Sequence, residues 1–202
     1  ARKLVRMGAT QSTMVPLGVL APEFTLADVV TGRNVAFSEF RVGKRASVVM
    51  FLCNHCPYVK HVRAELARFG RDHHGKSVAI VAISSNDAQA YPADGPDLMR
   101  AEAMEAGYPF PYLYDESQSV ARAFGAACTP DFFVYDAGGR LAYRGQLDGS
   151  RPKSEVPVTG QDLRAAVEAV LEGRAVPEPQ TPSIGCNIKW KSVEVLGCEG
   201  RR

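Results

Sequence analysis

Apolar positions along the chain fall into two arrangements, short continuous runs and helical spacing, and their succession predicts a mixed α/β fold. Residues 47–52 and 78–83 are near-continuous apolar runs, the signature of strands buried on both faces of a parallel-type sheet. Between them Val59, Val62, Leu66 and Phe69 recur at helical spacing, with Lys60, Arg63, Glu65 and Arg68 on the opposite side. This predicts a helix over 54–71, with Pro57 in its first turn, where a missing N–H costs little. Further helices are expected over 97–106 and 119–124, stopped by Gly107 and Gly125, and over 160–172, capped by Thr159 and ended by Gly173. Residues 132–135 and 140–144 flank the turn 136–139 and predict a hairpin. Two shorter apolar pieces, 21–26 and 35–37, surround the polar turn 31–34 and predict a smaller one, followed by a loop or short helix at 38–40.

Strands joined by helices early and an antiparallel hairpin late describe an α/β fold: a mixed central β-sheet flanked by helices, with an N-terminal β-hairpin. The expected organisation is an N-terminal extension over 1–14, one domain over 15–175, and a Pro-rich linker and C-terminal tail over 176–202. The tail carries the motif Gly185-Cys-Asn-Ile-Lys-Trp190, too specific for a loose terminus. It is expected to pack back on the domain, anchored by the ring of Trp190.

Composition narrows the function. The 202 residues suffice for one buried core, and a formal net charge of +2 with both signs interspersed gives no case for a nucleic-acid or membrane partner. No apolar stretch approaches a membrane span, and the basic opening residues lack an apolar h-region. The five cysteines are an odd number, which argues against a fully paired secreted framework. Together these predict a cytoplasmic protein, where a disulfide is mostly transient and catalytic.

The chemistry is concentrated at Cys53-Asn-His-Cys-Pro57, directly after the first apolar run. A pair of thiols two residues apart, where a strand turns into a helix, meets the unpaired N–H groups and partial positive charge of the helix N-terminus. Both favour a thiolate, and His55 between the thiols would lower the pKa further if protonated. The pattern points to a low-pKa nucleophile at Cys53 and a partner at Cys56 that closes a disulfide with it. Structural zinc needs four ligands, usually from two such pairs, and no second pair exists; a histidine such as His61, His73 or His74 would have to complete a metal site. Cys128 stands near Pro130 and is either an additional redox thiol or a small buried hydrophobe. Cys186 is expected to be structural, Cys198 exposed and incidental, and the aromatics Tyr91, Tyr108, Phe110 and Tyr112 to fill core or wall a groove.

The stretch Cys128-Thr-Pro-Asp-Phe-Phe133, taken with Cys53 and Cys56, resembles the thioredoxin superfamily. Within it the chain is similar to the peroxiredoxin-like group of the alkyl-hydroperoxide-reductase/thiol-specific-antioxidant (AhpC/TSA) family. The matching pieces are Ala21-Pro-Glu-Phe-Thr-Leu26, Cys53-Asn-His-Cys-Pro-Tyr-Val-Lys-His61, Gly107-Tyr-Pro-Phe-Pro-Tyr-Leu113, Cys128-Thr-Pro-Asp-Phe-Phe133, Tyr143-Arg-Gly-Gln-Leu-Asp148 and the tail motif. The resemblance implies a thioredoxin-like fold, a cis peptide at Pro130 facing the thiols, and a Thr129 backbone that pairs with an incoming substrate strand. It also implies that His55 stabilises a thiolate, as in oxidising members with a histidine in this slot.

Departures accompany the likeness. Ala46 and Met50 stand where peroxiredoxins carry a proline and a hydroxyl residue, Thr129-Pro130 where they carry an arginine, and Leu52 where thioredoxins carry a tryptophan. Neither Ser47 nor Met50 is acidic, so the resemblance assigns no proton acceptor to Cys56. The expected activity is that of a thiol-disulfide oxidoreductase, with Cys53 attacking and Cys56 resolving, His55 tuning, and Thr129 and Pro130 docking the substrate. Its partners would be a disulfide-containing protein or small thiol substrate and a cellular thiol reductant, without an organic cofactor or a metal. A potential above the roughly −270 mV of thioredoxin is expected, because a stabilised thiolate makes the disulfide more oxidising. The alternatives are a thiol peroxidase with antioxidant function using Cys53 as its peroxidatic cysteine, and a metal-binding module built on Cys53, Cys56 and a histidine.

Overall fold

A computed structural model describes residues 9–192, so Cys198 lies outside the described residues. The predicted runs become a five-stranded mixed sheet of β4 (Ala46–Phe51), β5 (Val78–Ser84), β6 (Tyr112–Tyr114), β8 (Asp131–Asp136) and β9 (Leu141–Gly145), in the order β6-β5-β4-β8-β9. β4 is central, parallel to β5 and antiparallel to β8, and every residue of β4 and β5 is buried. A strand covered on both faces has no polar side to show, which is why both read as apolar runs.

Alternation along β4 sends side chains to two cores. Val48, Met50 and Leu52 face the helices α2 (Pro57–His73) and α5 (Gln161–Leu171), packing with Val59, Val62, Leu66, Phe69, Leu163 and Val167. α3 (Pro96–Ala106) adds Met99 and Ala103 to this side. Val49 and Phe51 face Phe24, Phe37, Phe124 and Ile188. These come from the hairpin region of β2 (Thr25–Ala27), β3 (Asn34–Ala36) and α1 (Phe37–Phe40), from α4 (Ser119–Phe124), and from the tail. The α/β sheet flanked by helices and the N-terminal hairpin are as the sequence predicts. The three-residue strand β6 was not foreseen, since Tyr-Leu-Tyr is too short to show a period. α5 begins one residue beyond the expected cap: Gly160 is the N-cap, and Asp148 accepts hydrogen bonds from the N–H groups of Thr159 (2.8 Å) and Gly160 (2.7 Å).

A second sheet changes the expected organisation at both ends. β1 (Ala9–Gln11), β10 (Ile184–Asn187) and β7 (Cys128–Thr129) pair antiparallel in the order β1-β10-β7. The tail packs on the domain as expected, and does so as a strand. The described part of the 1–14 extension is built into the same sheet. Ser12 follows β1, donates to the Asp131 carboxylate at 2.5 Å and accepts from Arg144 Nε at 3.1 Å. Arg144 in turn reaches Asp131 (3.2 Å) and the Gly125 carbonyl (2.7 Å), and lies over the Phe133 ring. Arg144 and Asp131 are wholly buried, so each needs the other, and Ser12 completes their hydrogen bonding.

Beyond β10, the Lys189 N–H donates to Asn86 (2.8 Å), Gln118 donates to the Lys189 carbonyl (2.8 Å), and the Lys191 N–H donates back to Gln118 (2.8 Å). The Arg122 guanidinium lies 4.4 Å from the centre of the half-exposed Trp190 ring. The expected anchor is therefore a cation–π contact at the surface rather than a buried ring.

Close approach at β10 depends on Gly185, where an added Cβ would fall 2.0 Å from the Thr129 carbonyl oxygen. Both partners are backbone and cannot give way cheaply. Gly185→Ala is expected to destabilise the protein by about 1–3 kcal/mol, read as a lower denaturant midpoint. An unchanged midpoint would mean that β10 does not lie this close to β7.

Candidate active site

β4 ends at Phe51, and the chain passes through Leu52 and Cys53 to Cys56, the N-cap of α2. Cys56, not Cys53, thus holds the position facing the free N–H groups of the helix. Both thiols are buried, at 1% and 0% exposure, and neither is in a disulfide. The Thr129–Pro130 peptide is cis, as the resemblance implies. Thr129 touches both sulfurs: its hydroxyl lies 3.2 Å from Cys53 Sγ, and its carbonyl oxygen 3.1 Å from Cys56 Sγ. Cys53, Cys56, His55, Thr129 and Pro130 are therefore gathered at one place.

The electrostatics differ from the expectation. Cys56 is held well below the usual thiol value by the influence of the Cys186 and Cys53 thiols and of the Val59 and Cys186 N–H groups, which together outweigh burial. Cys53 is pushed well up by the Cys56 thiol, by burial, and by the nearby Asp94 carboxylate, with the Thr129 hydroxyl only partly offsetting this. Cys56 is thus the thiol pulled down and Cys53 the one pushed up, the reverse of the expected assignment of the low-pKa thiol to Cys53. A proton on Cys56, when present, points to the Thr129 carbonyl.

His55 is engaged by a carboxylate beside the Cys53 sulfur. Its Nδ1 lies 2.5 Å from Asp94 Oδ2, so the imidazole faces a carboxylate, and its ring stacks on Tyr91 at 5.6 Å. Asp94 is fully buried on the short 3-10 turn Pro92–Asp94. It accepts from the N–H groups of Asn54 (2.8 Å) and His55 (3.3 Å) and from the Asn86 amide (2.8 Å). Burial pushes the Asp94 carboxyl up, but His55, Asn86 and the Asn54 N–H outweigh it and leave it below its ordinary value. Tyr112, one of the aromatics singled out in the sequence, donates to Asn54 at 3.2 Å and fixes the turn between the thiols.

Cys128 is fully buried, pushed up by burial, and its Sγ approaches only the Pro130 carbonyl at 3.5 Å. Adjacent strand residues point to opposite faces, so with Thr129 reaching Cys53, Cys128 is carried away from the pair. Cys186 stands opposite Thr129 in the β10–β7 register, joins the core with Cys53 and Cys56, and is the largest influence lowering Cys56.

Over residues 17–144, the chain matches the AhpC/TSA family. It belongs to that family. This AhpC/TSA chain is 55% identical to an uncharacterised conserved protein from Geobacillus kaustophilus, over 93% of this chain and 98% of that one, with a TM-score of 0.89. It is 51% identical to a hypothetical protein from Sinorhizobium meliloti 1021, over 91% and 99% respectively, with a TM-score of 0.88. A thioredoxin-family thiol:disulfide interchange protein from Chlorobium tepidum TLS shares the fold at 19% identity, over 78% of this chain and 99% of that one, with a TM-score of 0.59. No curated protein matches. The fold of this AhpC/TSA chain is thioredoxin-like, and none of its described helices is long and apolar enough to cross a membrane.

The donors that could hold a cation in the AhpC/TSA site are Cys53, His55 and Asp94, whose ligand atoms lie within 4.8 Å of one another. This set differs from the expected one, because Cys56 is engaged by Thr129 and Cys186 while a carboxylate stands in its place. Three donors leave a tetrahedral site one short. Asp94, Asn86 and Cys186 are the residues that sequence reasoning did not assign to the site. Nothing in the loop holding Asp94 announces a buried acid, whereas the tail motif around Cys186 was visible and was given a structural role.

Asp94→Asn removes a negative charge from beside Cys53. A carboxylate raises a neighbouring thiol, so the alkylation midpoint of Cys53 is expected to fall, by about one pH unit. The check is a pH series of iodoacetamide labelling read by peptide mass; an unmoved or higher midpoint would sever Asp94 from the sulfur.

Proposed function

We propose that this AhpC/TSA protein is a thiol-disulfide oxidoreductase working through a Cys53–Cys56 dithiol/disulfide pair. The observation that carries the reading is the placement of one residue, Thr129, against both sulfurs, with Cys56 at the N-cap of α2. Two thiols in one buried site, one of them stabilised as thiolate, form the chemical unit of disulfide exchange.

The charge distribution gives the exchange a direction. In the oxidised pair, an incoming client thiolate attacks Cys53 Sγ, the S–S bond breaks, and Cys56 departs with the electron pair. A leaving thiol of low pKa departs faster, and Cys56 is the one that Cys186, Val59 and the helix N-terminus stabilise. The mixed disulfide then sits on Cys53, and a second client thiol releases it, leaving client oxidised and protein reduced. This favours the oxidising direction, with client proteins or small thiols as substrates and a cellular thiol/disulfide couple restoring the pair.

One observation favours the peroxidase reading as well. The Thr129 hydroxyl, 3.2 Å from Cys53 Sγ, supplies from β7 the hydroxyl that the sequence lacks at Met50. Cys53, however, is raised rather than lowered, and a peroxidatic cysteine reacts as thiolate. A fast second-order reaction of Cys53 with hydrogen peroxide in stopped flow would put this reading first.

Titrating the protein across glutathione buffers, with alkylation and peptide mass readout, should give one two-electron Cys53–Cys56 transition between roughly −270 and −120 mV. Cys53 and Cys56 failing to pair would end the dithiol reading. In cells, Cys56→Ser is expected to accumulate mixed disulfides on Cys53, whereas Cys53→Ser does not. Preferential trapping by Cys53→Ser would reverse the two roles.

A further inference from the structure

β10 lies on the edge where a substrate strand is expected. Cys186 is the register partner of Thr129 and Asn187 that of Cys128, so the backbone beside cis-Pro130 is paired with the chain's own tail. The approach is close enough that only glycine fits at 185, where an added Cβ would meet the Thr129 carbonyl oxygen at 2.0 Å. That same carbonyl oxygen lies 3.1 Å from Cys56 Sγ. β10 therefore brings a cysteine to the redox pair as a bound client strand would, and Cys186, at 3% exposure, packs in one core with Cys53 and Cys56.

We propose that Cys186 is a third redox thiol, an internal client that takes over the disulfide from Cys53 by bonding to Cys56. The inference rests on the oxidoreductase reading and deepens it. The step balances without any outside reagent. In the Cys53–Cys56 disulfide, Cys186 sulfur attacks Cys56 Sγ. A Cys56–Cys186 bond forms, the Cys53–Cys56 bond breaks, and Cys53 leaves with the electron pair and receives the proton that Cys186 gives up. One disulfide is lost and one gained, so nothing is oxidised or reduced overall.

The chemistry of the three sulfurs supports the order. Cys56 shares one core with both other thiols and is the sulfur that each of them influences. The largest influence raising Cys186 is the Cys56 thiol, which disappears when Cys56 is bonded to Cys53. Cys53, like Cys186, is a sulfur that burial and the Cys56 thiol favour in the protonated form, so it accepts the proton released. Cys128 takes no part, its sulfur lying against Pro130.

The test uses the full chain and reads disulfides directly. Trypsin leaves Cys53 and Cys56 together on peptide 46–60, Cys128 on 123–140 and Cys186 on 175–189. Cys53→Ser oxidised with glutathione disulfide is expected to give the cross-linked pair 46–60/175–189 as its main product. Cys186→Ser is expected to lose that cross-link and keep Cys53–Cys56. Unmutated protein, quenched with acid during oxidation, should contain both species, assigned by fragment spectra, which keeps the test independent of how a variant folds. Peptide 123–140 should stay unlinked throughout.

If Cys53→Ser leaves Cys186 alkylatable and the unmutated protein shows only Cys53–Cys56, the third thiol is refuted and the oxidoreductase reading stands. If the unmutated protein forms no disulfide through Cys53 or Cys56 at all, both fall together.

Discussion

The antiparallel pairing of β10 with β7 is the constraint on which the site depends. It places Thr129 between two partners: a strand on one side and two sulfurs on the other. A residue gripped in this way has little freedom, so the distances from its hydroxyl and carbonyl to the thiols are set by the sheet and not by a loop. The pairing also closes the site, since the thiols it covers are almost fully buried. β10 is in turn held by β1 on its far side and by the Asn86, Gln118 and Lys189 hydrogen bonds beyond its end. The two ends of the described chain thus meet at the chemistry, although the sequence places them more than 170 residues apart.

Burial gives the charges their weight. In a low-dielectric site, a carboxylate near one sulfur and N–H donors near another separate two thiols that would be equal in water. Asp94 disfavours charge on Cys53, while the start of α2 and the β10 backbone favour it on Cys56. His55 satisfies Asp94 rather than either thiol, so this histidine works one step away from the sulfur. The consequence is a polarised pair of thiols, and under the proposed exchange that difference in leaving-group quality would set its direction.

The sequence reveals what depends on neighbours in sequence. β4 and β5 are legible because full burial removes polar residues from both faces, and α2 because its Val59, Val62, Leu66 and Phe69 repeat with the helix. The thiol pair and Pro130 are legible from type and spacing. Contacts across long stretches are not. Asp94 lies in a three-residue turn with no period, and only the folded chain brings it beneath Asn54 and His55. The reversed acidity of Cys53 and Cys56 was hidden for the same reason: the groups that lower Cys56 include Cys186 and Val59, and the charge that raises Cys53 is Asp94. That Cys128 lies against Pro130 while Cys186 shares the core of the thiol pair turns on which face of β7 and of β10 each side chain takes. A linear motif cannot show that.

The order in which the chain is made gives the placement of β10 a temporal meaning. Synthesis runs from the N-terminus at about 5–20 residues per second, so Cys56 emerges on the order of ten seconds before Cys186. Until β10 is made, β7 once formed has no strand on its edge, and the thiol pair lacks its cover. The nascent protein therefore passes through a stage in which its dithiol is open to the thiols and disulfides around it, and the arrival of the last strand shuts that stage.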